Sequence, residues 1–160
     1  MEVKSDWYNR LIKELDPYLN TLSKKDKKKY KIDLLMRIAI RIDNFYPACG
    51  ECQMLQQEIT KLFNDIRDAL QMSSQIQMPK ETRKNYFKAI NNITKHLQKH
   101  HKLITEGQYL GTGLVIGIGA GTAIGASLGN TGIGPALGTV LGLVIGKYLD
   151  KKAKDEGRLI

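Results

Sequence analysis

The sequence predicts an all-α protein: a small cytosolic helical bundle followed by a C-terminal two-helix transmembrane hairpin. Three observations carry that prediction. Through the first hundred residues, apolar side chains recur at spacings of three and four, the period of a helix with one buried face. No segment shows the two-residue alternation of a half-buried strand. Glycine divides the chain, since of 15 glycines only Gly50 precedes position 107. The boundaries that follow are a basic helical head over 1–106, a hairpin over 107–149 and a charged cytosolic tail over 150–160.

In the head, Trp7, Leu11, Leu15, Tyr18 and Leu22 mark a first helix from Asp6 to about Leu22, with Pro17 as a point where it breaks or restarts. A second helix is expected from about Asp26 to Phe45, its apolar face formed by Ile32, Leu35, Met36, Ile38, Ala39, Ile42 and Phe45. Tyr46-Pro47 should end it, because the residue before a proline avoids the helical region. A third helix starts near Cys49 and runs through Leu55, Ile59, Leu62, Phe63, Ile66 and Leu70. Met72 to Pro79 reads as a polar loop. A fourth begins near Lys80 and carries Tyr86, Phe87, Ile90, Ile93, Leu97 and Leu103. Such a set packs as a bundle of three or four helices.

Beyond Gly107 the character changes. Tyr109 to Gly129 holds no charged residue in 21 positions, and Gly132 to Ile145 holds none. A bilayer-spanning helix needs about 20 mainly apolar residues, so the first stretch fits, and the second fits if Lys147 snorkels. Only Asn130-Thr131 separates them, which implies an antiparallel hairpin. Gly113, Gly117, Gly121, Gly125 and Gly129 are four apart, as are Gly134, Gly138, Gly142 and Gly146. In lipid there is no hydrophobic drive between helices, so small residues that let backbones approach supply the packing. The first hairpin helix is expected to continue from the one bearing His96 to His101, making membrane packing and any site there one mechanical element.

Charge suggests topology and partners. Residues 1–106 hold 20 Lys/Arg against 13 Asp/Glu, a net of +7. The N-terminus has no uninterrupted apolar core and no small-residue cleavage site, so it does not read as a secretory signal. Lys95, Lys99 and Lys102 precede the hairpin, while Lys147, Lys151, Lys152, Lys154 and Arg158 follow it. Basic flanks stay on the cytoplasmic side, which places both termini there in a multi-pass inner (plasma) membrane protein. The expected partner is membrane lipid of the anionic cytoplasmic leaflet, with a homo-oligomer as a further expectation. Nucleic acid is the weaker competitor for this diffuse charge, and the run Lys24 to Lys31 reads as a solvated helix start. No ionisable residue lies within the apolar stretches, which argues against a transporter.

Every Cys and His falls into two clusters: Cys49-Gly50-Glu51-Cys52, and His96, His100 and His101. Around a loop centred near residue 75 the two clusters lie on arms of equal length, so an antiparallel pairing of helices three and four brings them together. His96 and His100, four apart, share a helix face; His96 and His101 have the H-x4-H spacing of zinc fingers. Two thiolates and two imidazoles suit Zn(II), and a filled four-ligand site is structural. Two competing readings remain. Cysteines at a helix N-terminus acquire lowered thiol pKa values and can act as a redox pair, or the histidines are surface groups and the cysteines core residues. No nucleophile motif, P-loop or dinucleotide fingerprint is present, so the expectation is not an enzyme. Glu51 is the one residue placed to act as a base beside an open metal site.

The glycine spacing resembles the glycine-zipper class of bacterial membrane segments, over about the last third of the chain. That class includes anchors and oligomeric pores, so the resemblance implies tight helix packing and leaves anchor or pore open. More loosely, Cys49 to Cys52, His96 to Lys99, Gly107 to Tyr109 and Asp150 to Arg158 resemble an uncharacterised prokaryotic family. Its pattern is a C-x-E-C element, a His-bearing helix and a glycine-zipper hairpin.

Overall fold

The computed structural model describes residues 4–71, 75–130 and 132–160. The described residues are helical, with no named strand: α1 Asp6–Leu19, α2 Lys24–Lys29, α3 Ile32–Phe45, α4 Gly50–Gln71, α5 Lys80–His101, α6 Gln108–Ser127 and α7 Ile133–Asp155. The chain forms two compact units, Met1–His101 and Lys102–Ile160.

In the first unit the periodic residues become the core. Leu11 and Leu15 of α1, Leu35, Ile38 and Ile42 of α3, Ile59, Phe63 and Ile66 of α4, and Ile90, Ile93 and Leu97 of α5 are all buried. Pro17 stays inside α1, two residues before its end at Leu19. The helix stops at Leu19, short of the expected Leu22. Ser5 caps the start of α1, its hydroxyl accepting from the Tyr8 amide at 3.3 Å. Its own amide donates to Asp43 of α3 at 3.0 Å.

The single helix expected from Asp26 to Phe45 is instead two. Lys31 adopts φ 52°, a left-handed conformation that interrupts the ladder. The Tyr30 carbonyl, which would accept the amide four residues on, instead accepts the buried Tyr86 hydroxyl at 2.8 Å. Tyr30 in turn donates its hydroxyl to the Ile76 carbonyl at 2.9 Å, tying the α4–α5 connection to this corner. Of the loop expected over Met72 to Pro79, residues 72–74 lie outside the described residues.

In the second unit, α6 and α7 pack as a hairpin, and both are long and apolar enough to cross a membrane. Eight glycines make the contact. A Cβ added to Gly113, Gly117 or Gly121 would land on the carbonyl oxygen of Gly142, Gly138 or Gly134 respectively. One added to Gly125 would sit 2.9 Å from the Gly134 Cα, and one on Gly146 would sit 2.7 Å from the Leu110 Cα, closer than real Cβ atoms approach. Gly129 stands apart: at φ 68°, with nothing within 4 Å of an added Cβ, it turns the chain. Asn130 completes the turn, its Oδ1 accepting from the amides of Gly132 at 3.3 Å and Ile133 at 3.2 Å.

Two expectations about this unit are corrected. The first hairpin helix does not continue from α5. Between His101 and Gln108 lie Lys102 at φ 55° and Gly107 at φ 78°, and two left-handed residues cannot sit in one α-helix. The second hairpin helix also runs past the expected end at 149. Helix α7 runs to Asp155 because no glycine or proline lies between Gly146 and Gly157, whose φ is 67°. The chain then returns to pair with residue 104: the Ile104 amide donates to the Arg158 carbonyl at 2.9 Å and the Ile160 amide to the Ile104 carbonyl at 2.8 Å. Asp150 closes the same end of the hairpin, its carboxylate accepting from the amides of Tyr109 at 3.1 Å and Leu110 at 3.0 Å. Those donors have no partner within α6.

Candidate metal centre

The centre is built where α3 hands over to α4. The Phe45 carbonyl accepts from both Ala48 at 3.1 Å and Cys49 at 3.0 Å, a tight turn that leaves Cys49 immediately before Gly50, the first residue of α4. Its sulfur accepts from the Cys52 amide at 3.4 Å, the role a serine oxygen plays at a helix N-cap. The Cys49 sulfur therefore caps the N-terminus of α4, the helix that also carries Cys52.

The antiparallel α5 brings its C-terminal end to the same place. His96 Nε2 lies 3.6 Å from the Cys49 sulfur and 3.4 Å from the Cys52 sulfur, and His101 Nε2 lies 3.3 Å from Cys52. One ligand atom from each of Cys49, Cys52, His96 and His101 falls within 4.8 Å of all the others. For a tetrahedral site with Zn–S and Zn–N bonds of the usual length, the S···N edge is about 3.5 Å. The three S···N separations above lie close to that edge.

His100 takes a different place. It is exposed, stacks on His96 with ring centroids 4.9 Å apart, and belongs to a second group with Glu51 and His96. The reason lies in the angles: at about 100° per residue, His96 and His101 point about 140° apart and flank the cysteine pair. His100 points only about 40° from His96 and lies over its outer face.

Electrostatics favour a neutral, metal-receptive pocket. Burial, helped by the neighbouring Cys49 and Glu51, pushes the Cys52 thiol up to about 12. Burial and the adjoining His96 and His100 lower the His101 pKa, leaving its imidazole lone pair free at neutral pH. A raised Cys52 is the reverse of the lowered thiol pKa that a dithiol redox pair needs.

Two residues shape the centre without having been marked for that role. Glu51 Oε2 sits 3.0 Å from His96 Nδ1, and the Phe45 ring stacks on His101 at 3.9 Å and 17°. In the sequence Phe45 is one more apolar position on a helix face. Only its place four residues before Cys49 sets it apart. No family model, curated protein or solved structure matches the chain, so the functional reading rests on this geometry.

Proposed function

We propose that the protein is a non-enzymatic, membrane-anchored helical protein whose cytosolic head is clamped by a structural zinc ion. The ligands are Cys49, Cys52, His96 and His101. The observation that carries this reading is the mutual convergence of four soft or borderline donors within 4.8 Å, at separations suited to a tetrahedral ion. All four positions are filled by protein, which leaves no open site for a catalytic water. The ion would join the start of α4 to the end of α5.

The hairpin supplies the anchor. Its outward side chains, among them Val115, Ile116, Leu137, Leu141 and Val144, are exposed, an arrangement suited to lipid. Basic residues flank it at both ends, and the turn at Gly129 and Asn130 carries no charge, which supports cytoplasmic termini. The pore reading is the weaker one, because the glycine stripe that oligomeric zippers use between chains is engaged here between α6 and α7.

Metal analysis of the detergent-purified chain tests the proposal. The expected result is one zinc per chain, lost in Cys49→Ser and Cys52→Ser proteins. Equal metal content in those variants would refute it.

A further inference from the structure

One imidazole in this head faces two donor sets. His96 presents Nε2 to the two sulfurs and Nδ1 toward Glu51 and His100, and the latter three residues also offer ligand atoms within 4.8 Å of one another. His96 is buried, and its Nδ1 has no aligned hydrogen-bond partner, although Glu51 Oε2 is 3.0 Å away. Burying a polar nitrogen without a partner is costly, so the orphaned atom marks a place where something else is meant to bind. The two sets differ in access. Glu51 and His100 are exposed, whereas Cys52 is fully buried and Cys49 half-buried.

The charge of the head makes that difference matter. Residues 1–106 carry a net of +7, so a free divalent cation approaches against the field of the protein. Glu51 is the carboxylate at the mouth of the cysteine site, and local charge of the right sign raises ion capture rates.

We propose that Glu51, His96 and His100 form an outer loading site that captures a divalent transition-metal cation and passes it inward to Cys49, Cys52, His96 and His101. The inference rests on the metal reading above. Capture uses the Glu51 carboxylate, a His100 nitrogen and His96 Nδ1, an oxygen–nitrogen set that binds such ions more weakly than thiolates do. Delivery is ligand exchange without redox change. Bonds to Glu51, His100 and His96 Nδ1 break as bonds to two sulfurs, His96 Nε2 and His101 form; the His96 ring gives its Nε2 hydrogen to solvent and takes one from solvent at Nδ1, and each thiol that ionises gives its proton to solvent. Once the ion is inside, Nδ1 of His96 carries a hydrogen and Glu51 is the acceptor beside it, the usual outer support of a metal-bound histidine.

Stopped-flow uptake of Co(II) by the metal-free full chain in detergent, followed through thiolate-to-cobalt absorbance, tests this. Glu51→Gln combined with His100→Ala should slow uptake by about tenfold and still reach the wild-type final spectrum. Gln53→Ala, near the same helix end but outside both donor sets, should keep the wild-type rate. Uptake at the wild-type rate in the double variant would overturn the loading site. So would a loss of equilibrium affinity with faster metal release, which would make the pair a support of the inner site alone. A wild-type chain that takes up no cobalt would sink the metal reading itself.

Discussion

At the scale of single residues, the proton inventory of the cysteine site sets how it should respond to pH. Cys52 holds its proton up to about 12, so in the metal-free head at neutral pH the thiol is protonated and the ion must displace that proton. His101 has a lowered pKa and gives up none at neutral pH. Binding therefore releases thiol protons, and affinity rises with pH. The Cys52 proton alone makes the apparent constant change by up to about tenfold per pH unit, weakening on acidification. Chelator-competition titrations at several pH values measure the slope, and a flat profile would exclude thiolate ligation. The histidines should separate in the same assay: His101→Ala loses affinity, while His100→Ala reaches the same final cobalt spectrum. A different residue test lies at the Tyr30–Tyr86 corner. Tyr86→Phe leaves the buried Tyr30 carbonyl without its donor and should cost about 1–3 kcal/mol, read as a lower thermal midpoint of the head.

At the scale of elements, the glycines of α6 and α7 can be told apart by what surrounds them. A helix-interior glycine costs about 1 kcal/mol relative to alanine, so a stripe of them persists only where closeness gives something back. Gly117→Ala and Gly138→Ala put a methyl onto the facing backbone, and thermal denaturation in detergent should show the hairpin destabilised. Gly119→Ala meets nothing within 4 Å and should be neutral or stabilising. Equal effects at Gly117 and Gly119 would mean the helices do not pack through this stripe. The four-residue spacing made the stripe legible from sequence, because it is a local periodic signal, as did the apolar faces of α1, α3, α4 and α5. The breaks were not legible in the same way. Lys31 and Lys102 have no side-chain property that demands a left-handed backbone. Lys31 adopts it where Tyr86, 55 positions away, takes the Tyr30 carbonyl. The tail's return to Ile104 is likewise a long-range pairing without a local signature. For the metal centre, equal arm lengths foretold that Cys49 and Cys52 would meet the histidines. Which histidine entered depended on the angle at which α5 presents its last turn.

At the scale of the whole molecule, the break between α5 and α6 changes what metal can do to the membrane segment. A continuous helix from His96 into the bilayer would have carried any change at the site straight into the hairpin. Instead Lys102 and Gly107 interrupt it, and the hairpin is fastened at its own base by Asp150 and by residues 158–160 pairing with Ile104. Each unit thus holds its own cohesive contacts: an apolar core with the four-donor cluster in one, glycine-to-glycine packing with the Asp150 clasp in the other. Metal removal should then act on one unit only. A ligand present at about 1,000 times its dissociation constant stabilises the state it binds by about 4 kcal/mol. For a domain of this size that corresponds to a fall of roughly 15–30 °C in the midpoint of the head on chelation. The hairpin should keep its helicity and its resistance to alkaline extraction from membranes. Calorimetry of the detergent-solubilised chain, with and without chelator, should therefore show one transition moving and the other fixed. A single transition that shifts as a whole would mean the two units unfold together, and the interruption at 102–107 would not isolate them.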